Sequence, residues 1–138
     1  MIKLYLDIDS VLLTAKHTRA ADGVDEFVDF ITTRFECYWL TTHCKGDSIT
    51  ALKYLTQFMQ PETIEKLKDA VRHTNWDALK TEAIDFESDF YWLDDNPLQV
   101  ERKIMGDNVV SDRLILINLK IPNELAKIRL ELKYLLEP

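Results

Sequence analysis

Four short apolar runs alternate along the chain with longer stretches whose apolar residues recur at helical spacing. The runs cover residues 2–7, 37–40, 90–93 and 113–118. They are short and rich in residues that favour strands. Strands that alternate with helices are typical of βα units, which build a parallel sheet covered on both faces. The sequence therefore predicts an α/β fold, a three-layer sandwich with a mainly parallel sheet flanked by helices.

The helical stretches have recognisable starts. Asp22 is predicted to cap the first helix, Asp47 or Ser48 the second, and Pro61 to open the third. The apolar face of the second helix is expected to hold Ile49, Leu52, Leu55 and Met59. Further predicted elements are a brief helical turn over residues 83–86, a short helix over 98–105, and a long amphipathic helix from Pro122 with Leu125, Ile128, Leu132 and Leu135 on one face.

Length and composition indicate one ordered domain over residues 1–138. A chain of 138 residues with 46% apolar and 30% charged residues is long enough to bury a single core. Only three glycines and four prolines leave no room for a flexible linker. Cys37 and Cys44 match neither a disulfide framework nor a metal-binding motif.

Charge and hydropathy oppose two classes of partner. The net charge of −7 and the isoelectric point near 4.9 oppose a sequence-independent grip on nucleic acid. No stretch approaches membrane-spanning length, and the apolar segment before Asp7 is too short for a signal sequence. We therefore expect a cytoplasmic protein that does not bind a membrane, and the charge disfavours a nucleic-acid partner, although a local basic patch would override it.

Two acidic pairs stand at the ends of apolar runs. Asp7 and Asp9 follow the first run, and Asp94 and Asp95 follow the third. If these runs are neighbouring parallel strands, four carboxylates converge at one edge of the sheet. Carboxylates that close repel one another unless a cation lies between them. Mg²⁺ is the natural candidate because it prefers oxygen ligands and often shares its shell with a substrate phosphate.

Two threonines and one lysine extend this pattern. Thr41 and Thr42 follow the second apolar run, and parallel α/β sheets bind ligands outside the carboxyl ends of their strands. Lys80 is isolated before the third run. Taken singly, each of these residues would be ordinary at a strand end or on a surface. Their order along the chain, together with the two acidic pairs, is what indicates a common site.

That order resembles the haloacid dehalogenase (HAD) superfamily of Mg²⁺-dependent phosphohydrolases, over nearly the whole chain. The resemblance is carried by Asp7-Ile8-Asp9-Ser10-Val11, the apolar run into Thr41-Thr42, Lys80, and Trp92-Leu93-Asp94-Asp95. It implies a HAD-like domain with a Rossmann-like sheet and the activity of a phosphatase, a hydrolase of phosphoric monoesters.

The resemblance also implies roles for these residues. Asp7 matches the nucleophile that forms an aspartyl-phosphate, and Asp9 the general acid that later serves as base. Thr41 matches the hydroxyl that binds a phosphoryl oxygen, with Thr42 as the alternative. Lys80 matches the cation that contacts the nucleophile and the phosphoryl group.

The resemblance also assigns the second acidic pair to the metal, and the chain differs from the family pattern at Ser10. At least one of Asp94 and Asp95 should bind Mg²⁺ together with Asp7 and the carbonyl of Asp9, and the sequence does not say which. Ser10 stands where many phosphatases of the family have glycine, which puts the local backbone conformation in question.

Two functions besides a phosphatase remain open. A response-regulator receiver domain also uses acids, Mg²⁺, a threonine and a lysine, but its lysine follows its threonine at the last strand, whereas Lys80 precedes the second acidic pair. A catalytically silent binding module that kept the fold is the other alternative.

Substrate and assembly are only broadly constrained. Larger HAD enzymes insert a cap domain after the first or second motif, and here both intervals are filled by predicted helices. We therefore expect no cap, an open site and a bulky phosphorylated substrate.

The apolar face of the last helix is expected to pack on the sheet, with a homodimer contact as the alternative. His17 and His43 are interpreted as structural or solvent-facing.

Overall fold

A computed structural model describes residues 1–137 and shows an α/β fold with one sheet of four parallel strands. The strands are β1 (Lys3–Leu6), β2 (Glu36–Trp39), β3 (Phe90–Asp94) and β4 (Leu114–Leu116), in the order β2-β1-β3-β4. The helices are α1 (Val24–Arg34), α2 (Ile49–Thr56), α3 (Pro61–Ala70), α4 (Gln99–Asp107) and α5 (Glu124–Leu136), with 3-10 turns at Lys80–Ala83 and Ser111–Arg113. The predicted α/β fold and parallel sheet are confirmed, and the sheet is Rossmann-like.

The sheet has a core on each face because successive side chains of a strand point to opposite sides. Leu4, Leu6 and Leu93 join a large core built with α1, α3 and α5. Tyr5 and Trp92 join a smaller core that includes residues of α4. Burial on both faces explains why β3 is apolar along its length rather than alternating.

The strand order places a topological switch point between β1 and β3. From β1 the chain crosses to β2 on one side, and from β3 it crosses to β4 on the other. The helices that follow these two strands therefore diverge and leave a crevice at the carboxyl ends. Ligands of open α/β sheets bind at such a point.

Two predicted helix starts are wrong, for local reasons. Gly23, in a left-handed conformation with φ of 77°, stands at the start of α1, whereas Asp22 pairs with Arg19 at 3.1 Å. The predicted turn over residues 83–86 lies instead at Lys80–Ala83. There the carboxylate of Glu82 accepts the backbone N–H groups of residues 77, 78 and 79, which winds the chain just before Lys80.

The predicted apolar face of α2 is only partly buried. Ser48 does stand at the start of α2, but it is the carboxylate of Asp47 that accepts the N–H of Ile49. Ile49 is 74% exposed, whereas Leu55 is fully buried. The helix ends at Thr56, so Met59 is buried beyond its end.

The last strand and the last helix are less buried than predicted. β4 spans three residues, not six, because it pairs with β3, which itself ends at Asp94. Leu116 is 47% exposed at this edge of the sheet.

On α5, Leu125, Ile128 and Leu132 are buried as predicted, whereas Leu135 is 41% exposed. Within residues 1–137, none of the helices has the length and apolar character needed to cross a membrane.

Candidate active site

The register of the two central strands places Asp7 beside Asp94. Leu6 of β1 pairs with Leu93 of β3, so the next residue of each strand lies at the same level. The N–H of Asp7 donates to the carbonyl of Leu93 at 3.2 Å and continues the ladder by one bond. Both aspartates are buried. Two acidic side chains therefore leave the sheet together at the switch point.

Asp95 completes a cluster of three acids with these two residues. One carboxylate oxygen from each of Asp7, Asp94 and Asp95 lies within 4.8 Å of the others. The sequence predicted that four carboxylates would converge at this edge of the sheet, and three of them form the cluster. The carboxylate of Asp9 is not among the three; it is hydrogen-bonded to His43, which follows β2, and to Tyr54 of α2.

Lys80 joins the two buried acids. Its Nζ donates to Oδ2 of Asp7 at 3.0 Å and to Oδ2 of Asp94 at 2.8 Å. Only 14% of its side chain is exposed. The lysine that stood alone in the sequence thus lies at the centre of the site.

Burial and crowding set the charge balance of the cluster. Burial, followed by the neighbouring charge of Asp94, raises the pKa of Asp7 to about 6, although Lys80 opposes this shift. Burial and Asp94 also raise the pKa of Asp95. Burial on its own would lower the pKa of Lys80, but the charges of Asp7 and Asp94 outweigh it and raise that pKa. The site therefore holds more negative charge than its one ammonium group offsets.

The donor set fits a hard divalent cation. Three carboxylates and one ammonium group leave a formal charge of −2 when all are ionised, which one divalent ion would neutralise. All three candidate ligands offer carboxylate oxygens, the donors that Mg²⁺ prefers. Asp7, Asp94 and Asp95 are the residues that could hold it. A contribution from Asp9 through its main-chain carbonyl stays a prediction.

Asp9 is held by a stacked pair of aromatic side chains. Its Oδ2 lies 2.8 Å from Nε2 of His43, and its Oδ1 accepts a hydrogen bond from the hydroxyl of Tyr54 at 3.1 Å. The rings of His43 and Tyr54 stack with centroids 4.3 Å apart. About half of the Asp9 side chain, 47%, is exposed. Asp9 is therefore accessible and yet fixed at both oxygens.

The two threonines have different surroundings. The N–H of Leu40 donates to the carbonyl of Leu6 at 2.7 Å, which places Leu40 at the level of Asp7 and Thr41 one residue beyond it. Thr41 is fully buried, and its Oγ1 accepts the N–H of His43 at 3.3 Å, whereas Thr42 is exposed. Burial beside the strand ends favours Thr41 over Thr42 as the hydroxyl of the site.

Ser10 has the backbone conformation of a glycine. Its φ of 64° lies in the left-handed region, which costs an L-residue with a side chain about 1 kcal/mol. Its N–H donates to the carbonyl of Leu13 at 2.7 Å and closes the turn after Asp9. The departure from glycine noted in the sequence thus falls at a residue where glycine would be the unstrained choice.

Three residues that sequence reasoning missed build the site around these groups. His43 and Tyr54 hold Asp9, and Glu101 holds the backbone before Lys80. His43 lies two residues after Thr41, which is a usable signal. Tyr54 and Glu101 gave none, because each reaches the site from a helix far away in the sequence.

Glu101 positions Lys80 from the first turn of α4. One carboxylate oxygen accepts the N–H of Lys80 at 2.6 Å, and the other accepts the N–H of Leu98 at 2.9 Å. Glu101 is 3% exposed. Its carboxylate therefore ties the turn that bears Lys80 to the segment that follows β3.

We expect Glu101→Gln to lower the free energy of unfolding by about 1–3 kcal/mol, because an amide has one acceptor oxygen for two buried donors. Urea denaturation measures the change. Glu65→Gln, at an exposed position of α3, is the matched control and should change stability by less than about 0.5 kcal/mol. Equal stability of Glu101→Gln and the parent protein would contradict the role assigned to Glu101.

Comparison with known proteins gives no relative from which a function could be carried over. No protein-family model, curated protein or solved structure matches the chain.

Proposed function

We propose that the chain is a Mg²⁺-dependent phosphohydrolase of HAD-like fold that cleaves phosphomonoesters through an aspartyl-phosphate on Asp7. One observation carries the proposal: a buried lysine bridges two aspartates that leave adjacent parallel strands at the switch point of the sheet. Asp95 belongs to the same acidic cluster, and Asp9 follows Asp7 by two residues. In support of the proposal, these residues offer the kinds of group that a phosphoryl-transfer site needs as nucleophile, cation, metal ligands and proton donor.

The first step forms the covalent intermediate. The carboxylate of Asp7 attacks phosphorus and forms a new O–P bond, while the ester O–P bond breaks. The proton of Asp9 passes to the departing oxygen, which leaves as an alcohol. The ammonium group of Lys80 is placed to offset charge on Asp7 and on the phosphoryl oxygens. When bound, Mg²⁺ would supply further positive charge at the same oxygens.

The second step restores the protein. Asp9, now a carboxylate, takes one proton from a water molecule whose oxygen attacks phosphorus. The bond between Asp7 and phosphorus breaks, and inorganic phosphate leaves with the remaining proton of the water. Asp7 is again a free carboxylate and Asp9 is again protonated. The cycle consumes one water for each ester.

The proposal includes an open site without a cap domain. Between β2 and β3 the described residues form α2, α3 and one 3-10 turn. This interval contains no strand from which the sheet of a cap domain could be built. An open site draws little specificity from enclosing its substrate. We therefore expect phosphorylated macromolecules or other bulky esters to be better substrates than small metabolites.

Removal of divalent metal is expected to stop turnover. The purified protein should release phosphate from an aryl phosphate when Mg²⁺ is present, and chelation should reduce the rate at least about tenfold because it leaves the negative charge of the site unbalanced. Phosphate release measured before chelation, after chelation and after restoration of Mg²⁺ tests this.

The same assay separates the alternatives. A receiver-like switch would be slowly phosphorylated by a small phosphodonor without multiple turnover, and a silent module would do neither. Turnover that chelation leaves unchanged would contradict the metal assignment, and absence of phosphate release from a broad panel of esters would contradict the proposed function.

A further inference from the structure

Of the four acids predicted at the site, Asp9 is the one whose carboxylate does not belong to the acidic cluster. Its carboxylate is hydrogen-bonded to two side chains instead. Both of its oxygens are engaged, one by His43 and one by Tyr54. Either donor alone would leave the carboxylate able to rotate. Together they set its orientation.

The two donors are themselves held in place. The N–H of His43 donates to Oγ1 of Thr41, which ties the histidine to the end of β2. Its ring lies nearly parallel to that of Tyr54, with an angle of 15° between the planes. Tyr54 also makes an edge contact with Phe58, at 5.5 Å between ring centroids. The donor pair is therefore a packed unit rather than two mobile side chains.

The arrangement leaves Asp9 able to exchange a proton. Each carboxylate oxygen has a second acceptor position beyond the one used by its donor. With 47% of the side chain exposed, that position can face a substrate or a water molecule. A proton donor held at the correct distance and angle is effective, whereas a displacement of about 1 Å can cost about a hundredfold in rate.

We propose that His43 and Tyr54 are positioning residues that orient the carboxylate of Asp9 for proton transfer to the leaving group. The inference rests on the proposed function and extends it to two residues that do not touch the phosphoryl group. It implies that α2, which carries Tyr54, contributes to catalysis although none of its residues belongs to the acidic cluster.

The test uses the dependence of rate on the leaving group. Protonation by Asp9 matters for an alkyl phosphate, whose alcohol is a poor leaving group, and little for an aryl phosphate that releases an acidic phenol. Because kcat/KM reports formation of the phosphoenzyme, it isolates this step. We expect Tyr54→Phe to lower kcat/KM at least about tenfold for the alkyl ester and less than about threefold for the activated aryl ester.

Controls separate positioning from a general structural effect. Tyr134→Phe, at a 78% exposed tyrosine of α5, should leave both values unchanged. His43→Leu should repeat the selective loss, and His43→Gln, which keeps a side-chain donor, should recover part of it. In the Asp9→Asn background, Tyr54→Phe should cause no further loss, because its effect acts through the same carboxylate. Thermal unfolding of each variant identifies any that fails to fold.

The outcomes are distinct. Equal losses on both esters, or a full additional loss in the Asp9→Asn background, would overturn the positioning role while leaving the phosphatase in place. Absence of turnover of either ester by the parent protein would overturn the proposed function and this inference with it.

Discussion

Asp7→Asn is expected to abolish phosphate release while leaving the metal-free protein at least as stable as its parent. The amide cannot act as the attacking carboxylate, so turnover should fall by at least about 10³-fold. The change keeps the shape of the side chain almost unaltered. The amide has one acceptor oxygen for the two donors that Asp7 binds, the N–H of Ile8 and the ammonium group of Lys80, but removal of a buried charge whose pKa is raised outweighs that loss. Loss of activity together with unchanged or increased stability is the signature of a functional residue rather than a structural one.

The expected stability of Asp7→Asn relative to the parent protein follows from the raised pKa of Asp7. Because its pKa is about 6 in the folded protein and near 3.8 when unperturbed, the folded state binds more protons between these values. The stability that Asp7 contributes is therefore present below about pH 4 and is lost as the pH rises through 6. Above that pH the neutral amide should be more stable than the carboxylate by about 1–3 kcal/mol.

Urea denaturation in the presence of a chelator, from pH 4 to pH 8, measures this difference. The two proteins should have similar stability at the acidic end and diverge as the pH rises. Added Mg²⁺ should stabilise the parent protein more than Asp7→Asn, because the variant has lost a carboxylate ligand. Asp69→Asn, at an exposed position of α3, should show none of these changes. Retention of near-parental turnover by Asp7→Asn would exclude the aspartyl-phosphate mechanism.

The parts of the site that could be predicted from the sequence are those that strand pairing determines. Asp7 and Asp94 end apolar runs, and parallel strands bring such ends together once they are neighbours. Burial on both faces made β3 easy to identify from its apolar residues alone. Both features depend on short stretches of chain and on a general property of parallel sheets.

The parts that could not be predicted depend on side chains that reach across the fold. The orientation of Asp9 is set by Tyr54, which lies 45 residues away in the sequence. The start of α1 at Gly23 depends on the pairing of Asp22 with Arg19, and the early turn at Lys80 depends on the three backbone N–H groups that Glu82 binds. Apolar periodicity carries no information about these contacts, because it reports only which residues are buried.

Lys80→Met is expected to have the second largest effect, on both stability and turnover. The thioether keeps much of the length of the side chain but leaves the buried carboxylates of Asp7 and Asp94 without their shared ammonium group. Removal of one member of a buried ion pair costs about 3–5 kcal/mol of unfolding free energy. Turnover should fall by about 10²- to 10³-fold, as for the loss of other groups that stabilise developing charge.

Metal and a second substitution should each restore part of the lost stability. Mg²⁺ supplies positive charge to the same oxygens, so it should stabilise Lys80→Met more than it stabilises the parent protein. Adding Asp7→Asn removes one of the two crowded charges, so the double variant should be more stable than Lys80→Met alone. Lys103→Met, which breaks an exposed ion pair with Asp107, is the matched control and should change stability by less than about 0.5 kcal/mol.

These measurements distinguish a charge-balancing lysine from one that merely fills space. If Lys80 acts through packing alone, methionine should replace it at little cost, and neither Mg²⁺ nor Asp7→Asn should improve the variant selectively. If it acts through charge, the deficit should be largest in chelator and above pH 6, where Asp7 is ionised in the folded protein. Because Lys80 bonds both acids, its loss should then weaken the fold and the reaction through the same unbalanced pair of carboxylates.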